Sequence, residues 1–351
     1  MIVVDGSIGE GGGQILRAAV GLAAALGKPV KIINIRAGRR NPGLQHQHLT
    51  AVEAVAKLCS AYVEGARIGS TQLVFKPGRL SGGSYTFDVG TAGSVSLVLQ
   101  ALTPLLPLLP QKTRIELRGG TDVPWSPPVD YVRYVFTPVA RRFGLYMSVE
   151  LVRRGHYPKG GGVVMVEVDP GRLESVELVE RGVLKAVRGV SHAVKLPRHV
   201  AERQARAARD RILQSGVTVP VEIAVESYEP DRDPHLGPGS GVTLYAEFRE
   251  SVIGADALGG KGKPAEAVGR EAAEKLLVEI GSGAAVDSHM GDMIVALACL
   301  ADGVTRYTTS RLTLHTETVL EIAEIVAGCK SRVSEIRGGG VMVEITGVGA
   351  V

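Results

Sequence analysis

Aromatic side chains make up only 4% of the 351 residues, and there is a single tryptophan. That scarcity argues against a module that merely holds nucleic acid by stacking its bases. Cysteine is scarcer still: Cys59, Cys299 and Cys329, odd in number and without CxxC spacing. They read as buried thiols in a reducing compartment, not as a zinc site or a disulfide framework. Asparagine occurs only at Asn34 and Asn41, a shortage of thermolabile amides consistent with a thermophilic source. Charge of one sign is also lacking. The 40 basic and 36 acidic residues leave +4, which permits a phosphate-bearing partner without demanding one. No signal peptide is visible, because the opening Met1-Ile-Val-Val-Asp5 is strand-like and runs straight into glycines; a cytoplasmic location is expected.

One stretch, between Asp88 and Lys112, has no charge and is long enough to span a bilayer. It contains Ser94, Ser96, Gln100 and the prolines Pro104, Pro107 and Pro110. These predict a buried helix of roughly ten residues followed by a proline-rich connection, and no membrane partner.

The chain does have glycine, 45 residues of it, placed in a pattern. Glycines precede an apolar helical run at 9–17, at 90–100 and at 289–297. Each run is followed by a strand-like stretch (30–35, 113–117, 304–309), a second helix (49–59, 129–143, 316–326) and a further strand (73–75, 163–168, 341–345). The period is too long for a solenoid. Residues 184–280 break the pattern, reading as strand, charged helix, two valine-rich strands and a helix. The predicted fold class is therefore α+β. A large domain (1–183 and 281–351) of three repeated α/β units, two helices on a small sheet each, carries a smaller inserted α/β domain (184–280).

Four segments carry chemistry. In Asp5-Gly-Ser-Ile-Gly-Glu-Gly-Gly-Gly-Gln-Ile-Leu-Arg17, glycines before a helix let backbone N–H groups approach an anion. Glu10 there is a candidate metal ligand, and no GK[ST] follows to make it a P-loop. The loop 35–48 gathers Arg36, Arg39, Arg40, His46 and His48, groups suited to phosphate. Its HxH supplies only two ligands, too few for zinc. Arg153-Arg-Gly-His-Tyr-Pro-Lys-Gly-Gly-Gly162 is a glycine-rich turn with His156 and Lys159 as possible anion contacts. His315 falls at the start of a predicted helix, where the dipole disfavours imidazolium and keeps the ring nucleophilic. Asp292 reads equally as a ligand contact or a helix cap, and the arginines of 203–211 as a solvated helix face.

Together, DGSIGEGGGQILR (5–17), IRAGRRNPGLQHQHLTAV (35–52), GGTDVPWSPPVDY (119–131), RGHYPKGGGVV (154–164) and the late His315 resemble the RNA 3′-terminal phosphate cyclases over essentially the whole chain. The resemblance implies a large domain of three similar units with a small insert. It implies ATP-dependent conversion of an RNA 3′-phosphate to a 2′,3′-cyclic phosphodiester, with ATP and a divalent metal (Mg2+ or Mn2+). His315 would be the adenylylated nucleophile and Glu10 the metal ligand. Gln100, Pro127, His289, Met290, Gly291, Asp292 and Met293 would contact ATP, with Pro127 against adenine. Arg17, Arg36, Arg39, Gln47 and His48 would hold ATP phosphates or the RNA end. RNA with a 3′-phosphate is the implied partner, and no obligate protein partner is evident. Two positions depart from the bacterial pattern: Met293 stands for Gln, and Val319 for Asn.

Three rival readings fit less well. A catalytically silent relative acting in ribosome biogenesis would lack the histidine. An enolpyruvyl transferase is poorly matched by the HxH loop and GHYPKGGG. A chemistry-free nucleic-acid module would carry more basic charge and more aromatics.

Overall fold

The computed structural model describes residues 1–336 and 339–350, so residues 337, 338 and 351 of the expected 281–351 segment lie outside the described residues. Among the described residues the fold is mixed α+β and is built on four four-stranded sheets. The first contains β1 (Ile2–Asp5), β2 (Val30–Ile33), β3 (Tyr62–Glu64) and β4 (Leu73–Lys76) in the order β1-β2-β4-β3. The second contains β5 (Ser84–Asp88), β6 (Thr113–Gly119), β7 (Tyr146–Arg153) and β8 (Gly162–Asp169) in the order β5-β6-β8-β7.

After the two-residue strand β9 (Glu177–Leu178), a third sheet orders β10 (Leu184–Val194), β11 (Val221–Ser227), β12 (Gly239–Phe248) and β13 (Val252–Leu258) as β11-β10-β12-β13. The fourth pairs β9 with β14 (Val304–Thr309), β15 (Lys330–Glu335) and β16 (Val341–Thr346) in the order β9-β14-β16-β15. The first, second and fourth sheets thus share one topology. A parallel pair of strands is extended by an antiparallel hairpin whose second strand lies inside.

The helices follow from apolar spacing and glycine stops. Helix α1 (Gly13–Leu26) ends where Gly27 adopts φ 65°, the left-handed geometry that closes a helix. It packs against α2 (His46–Leu58) and α3 (Val95–Leu102). Next, α4 (Val129–Tyr131) runs through a widened turn (Val132–Phe136) into α5 (Thr137–Arg142). Pro138 has no N–H to donate, and the wider turn absorbs the break, with Thr137 Oγ1 donating to the Val132 carbonyl at 2.8 Å. Helices α6 (Arg198–Gln214) and α7 (Ala265–Gly281) pack together and on the third sheet. The last group is α8 (Met290–Met293), α9 (Val295–Leu300) and α10 (Leu314–Ala327), and α10 lies against α1.

Two apolar clusters result. The larger draws on residues from Val4 to Leu178 and from Ala285 to Ile345; the smaller, around Val187, Leu244 and Leu276, fills the third sheet and its two helices. From the third sheet, Tyr245 and Val252 pack against the larger cluster, and Tyr245 stacks on Tyr134 at 5.1 Å.

Several expectations need correction. The repeated unit has an extra leading strand and an extra hairpin strand. The unexpected strands are β3, β5, β7, β9 and β15: β3 and β9 are only three and two residues long and β15 is largely exposed and polar, whereas β5 and β7 do alternate but bury neither face fully. Strand β13 was not anticipated, and the strand expected from Val217 starts at Val221. The uncharged stretch holds an eight-residue α3 and a short 3-10 turn, Leu106–Leu108. Among the described residues no helix is long and apolar enough to cross a membrane. The cysteines are not three free thiols. Cys299 and Cys329 form a disulfide with their Cα atoms 5.5 Å apart, leaving Cys59 free and buried. Parity and spacing do not show that the end of α9 lies beside the end of α10, and disulfides also persist in some intracellular proteins of hyperthermophiles.

Candidate active site

His315 is the second residue of α10. Thr313 caps that helix, its Oγ1 accepting the Thr316 N–H at 3.0 Å. The expected position at a helix start therefore holds. A carboxylate was not foreseen there: Asp292 Oδ2 lies 2.8 Å from His315 Nδ1. The approach is too bent for an aligned hydrogen bond, so the contact is chiefly electrostatic.

Asp292 is not the cap of its short helix. That role falls to buried Asp287, whose carboxylate accepts the N–H groups of His289 (3.0 Å), Met290 (2.9 Å) and Gly254 (2.9 Å) and the Tyr131 hydroxyl (2.7 Å). Asp287 was missed because its sequence context, Val-Asp-Ser, carries no signal beyond an ordinary cap residue.

His315 and Asp292 line a cavity of about 410 Å3. Of the expected nucleotide contacts, Gln100, Pro127, His289 and Met293 line it with them, and so does Arg17. Met290 and Gly291 are buried behind it, the Gly291 carbonyl accepting the Tyr307 hydroxyl at 2.7 Å. Arg17 Nε donates to Gln100 Oε1 at 3.1 Å. Burial lowers the Arg17 guanidinium to about 10, against the pull of Asp292, so it stays charged at neutral pH. Val319 is buried in α10.

The glycine loop and the basic loop form an adjoining shelf. Gly9 has φ 53°, and a Cβ there would meet Thr318 Oγ1 at 2.1 Å, so glycine lets this loop close on the N-terminal part of α10. A Cβ on Gly13 would likewise meet His48 Nε2 at 2.3 Å and an Arg17 nitrogen at 3.0 Å. His48 is buried. Its Nδ1 accepts the Gln45 N–H at 3.2 Å, and burial with Arg17 and Arg36 pushes its pKa to about 3. A neutral ring with Nδ1 as acceptor carries its proton on Nε2, facing the glycine loop.

Other expected phosphate contacts are partly engaged elsewhere. Arg36 donates to the carbonyls of Asn41 (2.6 Å) and Gly43 (2.9 Å), shaping its own loop. Gln47 Oε1 accepts the Ser94 N–H at 3.0 Å, fastening α2 to the start of α3. Arg39 pairs with Glu10 at 3.4 Å on the surface.

Glu10 is thus an exposed single carboxylate. That donor set suits Mg2+, which is usually held by one or two carboxylates together with substrate phosphates, and not a metal caged by protein alone.

Further cavity residues escaped the sequence reading. Trp125 is 97% exposed with φ 63°, on the loop between Asp122 and Pro128. Asp256 and Lys275 reach the same cavity from β13 and α7. Burial lifts the Asp256 carboxyl to about 6, against the opposing pull of Lys275. Nothing local marks these two, since their role depends on how the third sheet meets the rest of the chain.

The comparisons with known proteins agree with one another. A family model described as RNA 3′-terminal phosphate cyclase matches residues 8–333. A protein of that name from Hyperthermus butylicus is 56% identical over 329 residues, covering 93% of this chain and 91% of its own. Those from Staphylothermus marinus and Pyrobaculum neutrophilum are 51% and 52% identical, each across 99% of this chain and 99% and 98% of their own. The chain belongs to the RNA 3′-terminal phosphate cyclase family.

Proposed function

We propose that the protein converts an RNA 3′-terminal phosphate to a 2′,3′-cyclic phosphodiester at the expense of ATP, through AMP carried on His315. The close pairing of His315 with Asp292 at the wall of a nucleotide-sized cavity is the observation that carries this reading. With a carboxylate beside Nδ1, the tautomer protonated there is favoured and Nε2 keeps its lone pair. Nε2 attacks the α-phosphorus, an N–P bond forms and pyrophosphate leaves. The RNA phosphate then takes AMP from the histidine. The neighbouring 2′-hydroxyl attacks the activated phosphorus and expels AMP, an intramolecular closure that gains from proximity.

Arg17 supplies fixed positive charge beside the reacting phosphates, and Gln100 holds its guanidinium in place. His289 and Pro127 would flank the adenine. Met290, Gly291 and Met293 would complete that wall, and Met293 cannot give the hydrogen bond of a glutamine. Arg36, Arg39, Gln47 and His48 would receive the RNA end, or the outer phosphates of ATP. Glu10 would hold Mg2+ or Mn2+, which when bound supplies Lewis-acid neutralisation of phosphate charge.

The three sheets of common order fit repeated α/β units of one large domain, residues 1–183 and 281–351, with 184–280 as the insert. The insertion would then fall inside the third unit, between its first strand β9 and its first helices.

The test is incubation of wild type and His315→Ala with α-32P-ATP and Mg2+ or Mn2+. Acid-labile, alkali-stable label on wild type only, discharged by RNA 3′-phosphate, is expected. No label on folded wild type would overturn the reading.

A further inference from the structure

A second cluster lies apart from His315 and takes no part in the reaction above. His156 Nε2 and His192 Nε2 are 3.2 Å apart, and Asp122 Oδ1 is 3.8 Å from His192 Nε2. All three residues are buried, and their donor atoms lie within 4.8 Å of one another. Two imidazole nitrogens on a tetrahedral zinc, with bonds of about 2.0–2.1 Å, sit roughly 3.3 Å apart. The observed spacing therefore serves a chelate as well as a hydrogen bond.

His192 is 1% exposed, and among the described residues its Nε2 faces both His156 Nε2 and Asp122 Oδ1. Strand β12 makes room for both rings with glycines. A Cβ on Gly239 would meet His156 Cγ at 2.0 Å, and one on Gly241 would meet His192 Cε1 at 2.9 Å.

Charge points the same way. Arg154 donates to Asp122 (3.2 Å), Asp130 (2.6 Å) and Glu226 (2.6 Å), and Arg133 donates to Asp130 (3.0 Å). Two guanidiniums against three carboxylates leave one negative charge over, in a largely buried place. Asp122 is itself oriented by Arg154 and by Thr121 Oγ1 at 2.6 Å, the outer support expected of a ligating carboxylate.

We propose that Asp122, His156 and His192 bind one zinc-class divalent cation, with its fourth position open to a second cavity of about 820 Å3 that Asp122 and His156 line. The cation joins three separate segments: the loop that carries Trp125, the turn after β7 and strand β10 of the third sheet. It acts as a structural clamp beside the nucleotide cavity, distinct from any metal that arrives with ATP.

The experiment uses the full chain, stripped of metal by chelator and free of nucleotide, titrated with Co2+ and followed by visible absorption. One tetrahedral Co2+ per chain, displaced by Zn2+, is expected. His156→Gln and His192→Gln should each weaken binding by at least about 100-fold, because losing even a supporting hydrogen-bond partner costs about 10–100-fold. Wild type that takes up no more Co2+ than the double variant overturns the site. Should the variants fail to fold, X-ray absorption of Zn2+-loaded wild type decides. Imidazole scattering without sulfur supports the site; absence of bound zinc, a sulfur shell or an all-oxygen shell overturns it.

Discussion

His315 Nδ1 lies 2.8 Å from Asp292 Oδ2, although the two residues sit on separate helices 23 positions apart. A carboxylate thus sits beside one nitrogen of the ring. Asp292→Asn keeps the volume but removes the charge beside Nδ1, which in the proposed mechanism selects the tautomer. His–AMP formation should slow by about 100-fold, the scale of a positioned proton-handling group. Single-turnover labelling with α-32P-ATP measures this. An unchanged rate would show that the pairing is incidental.

Arg154 is 1% exposed and bound by carboxylates on every side. Replacing it by methionine strands Asp122 and Asp130 in the interior. Breaking a buried network of this kind costs about 3–5 kcal/mol. Denaturant unfolding of Arg154→Met should show that loss. Affinity for ATP should fall with it, since Asp122 anchors the loop that carries Trp125 and Pro127 to the cavity beside His315.

Trp125 is the only tryptophan and stands almost fully exposed at that cavity. An indole so placed has no packing reason to be there, and a π-face at the mouth is suited to a base. Stacking is worth about 1–3 kcal/mol per base. Trp125→Ala should therefore weaken binding of ATP or of the RNA end by roughly ten- to a hundred-fold, with His–AMP chemistry retained. Wild-type emission should be quenched by whichever ligand stacks, which a titration with each in turn decides.

What could be read in the sequence follows a physical line. The place of His315 at a helix start was legible as a local pattern, whereas Gln100 and the phosphate role of Arg17 came from the family resemblance; the three side chains line one cavity. The paired helices were legible because apolar spacing survives without neighbours. Strands β3 and β15 were not, because edge strands with polar faces carry almost no alternation. Asp256, Lys275 and the Cys299–Cys329 bond were illegible for a different reason. Each depends on two segments far apart in the chain meeting in space, and no residue nearby records it. Trp125 was visible within its motif, yet its extreme exposure was not.

The disulfide closes a loop of 30 residues between α9 and the end of α10, the helix that bears His315. Removing such a cross-link frees the unfolded chain by about 4 kcal/mol on the loop-entropy account. Cys329→Ser should lower unfolding free energy by about 2–4 kcal/mol, and reductant should reproduce the loss in wild type but leave the variant unmoved. Guanidinium titrations with and without reductant separate these. Equal stability throughout would mean that the thiols do not pair in solution.

Asp256 gives a pH signature. Burial lifts its folded pKa to about 6 from a reference of 3.8, with Lys275 opposing. The folded state thus binds the proton more tightly than the unfolded chain. Its contribution to stability is full below pH 3.8, is lost as pH rises toward about 6, and stays lost above that. Asp256→Asn mimics the protonated form and pays nothing to ionise. The difference in Tm, variant minus wild type, should therefore grow between about pH 4 and 6 and level off beyond, leaving the variant more stable at neutral pH. Subtracting the two curves removes every other titrating group, because only position 256 differs. A difference that is flat with pH would show that the carboxyl ionises as freely in the cavity as in water.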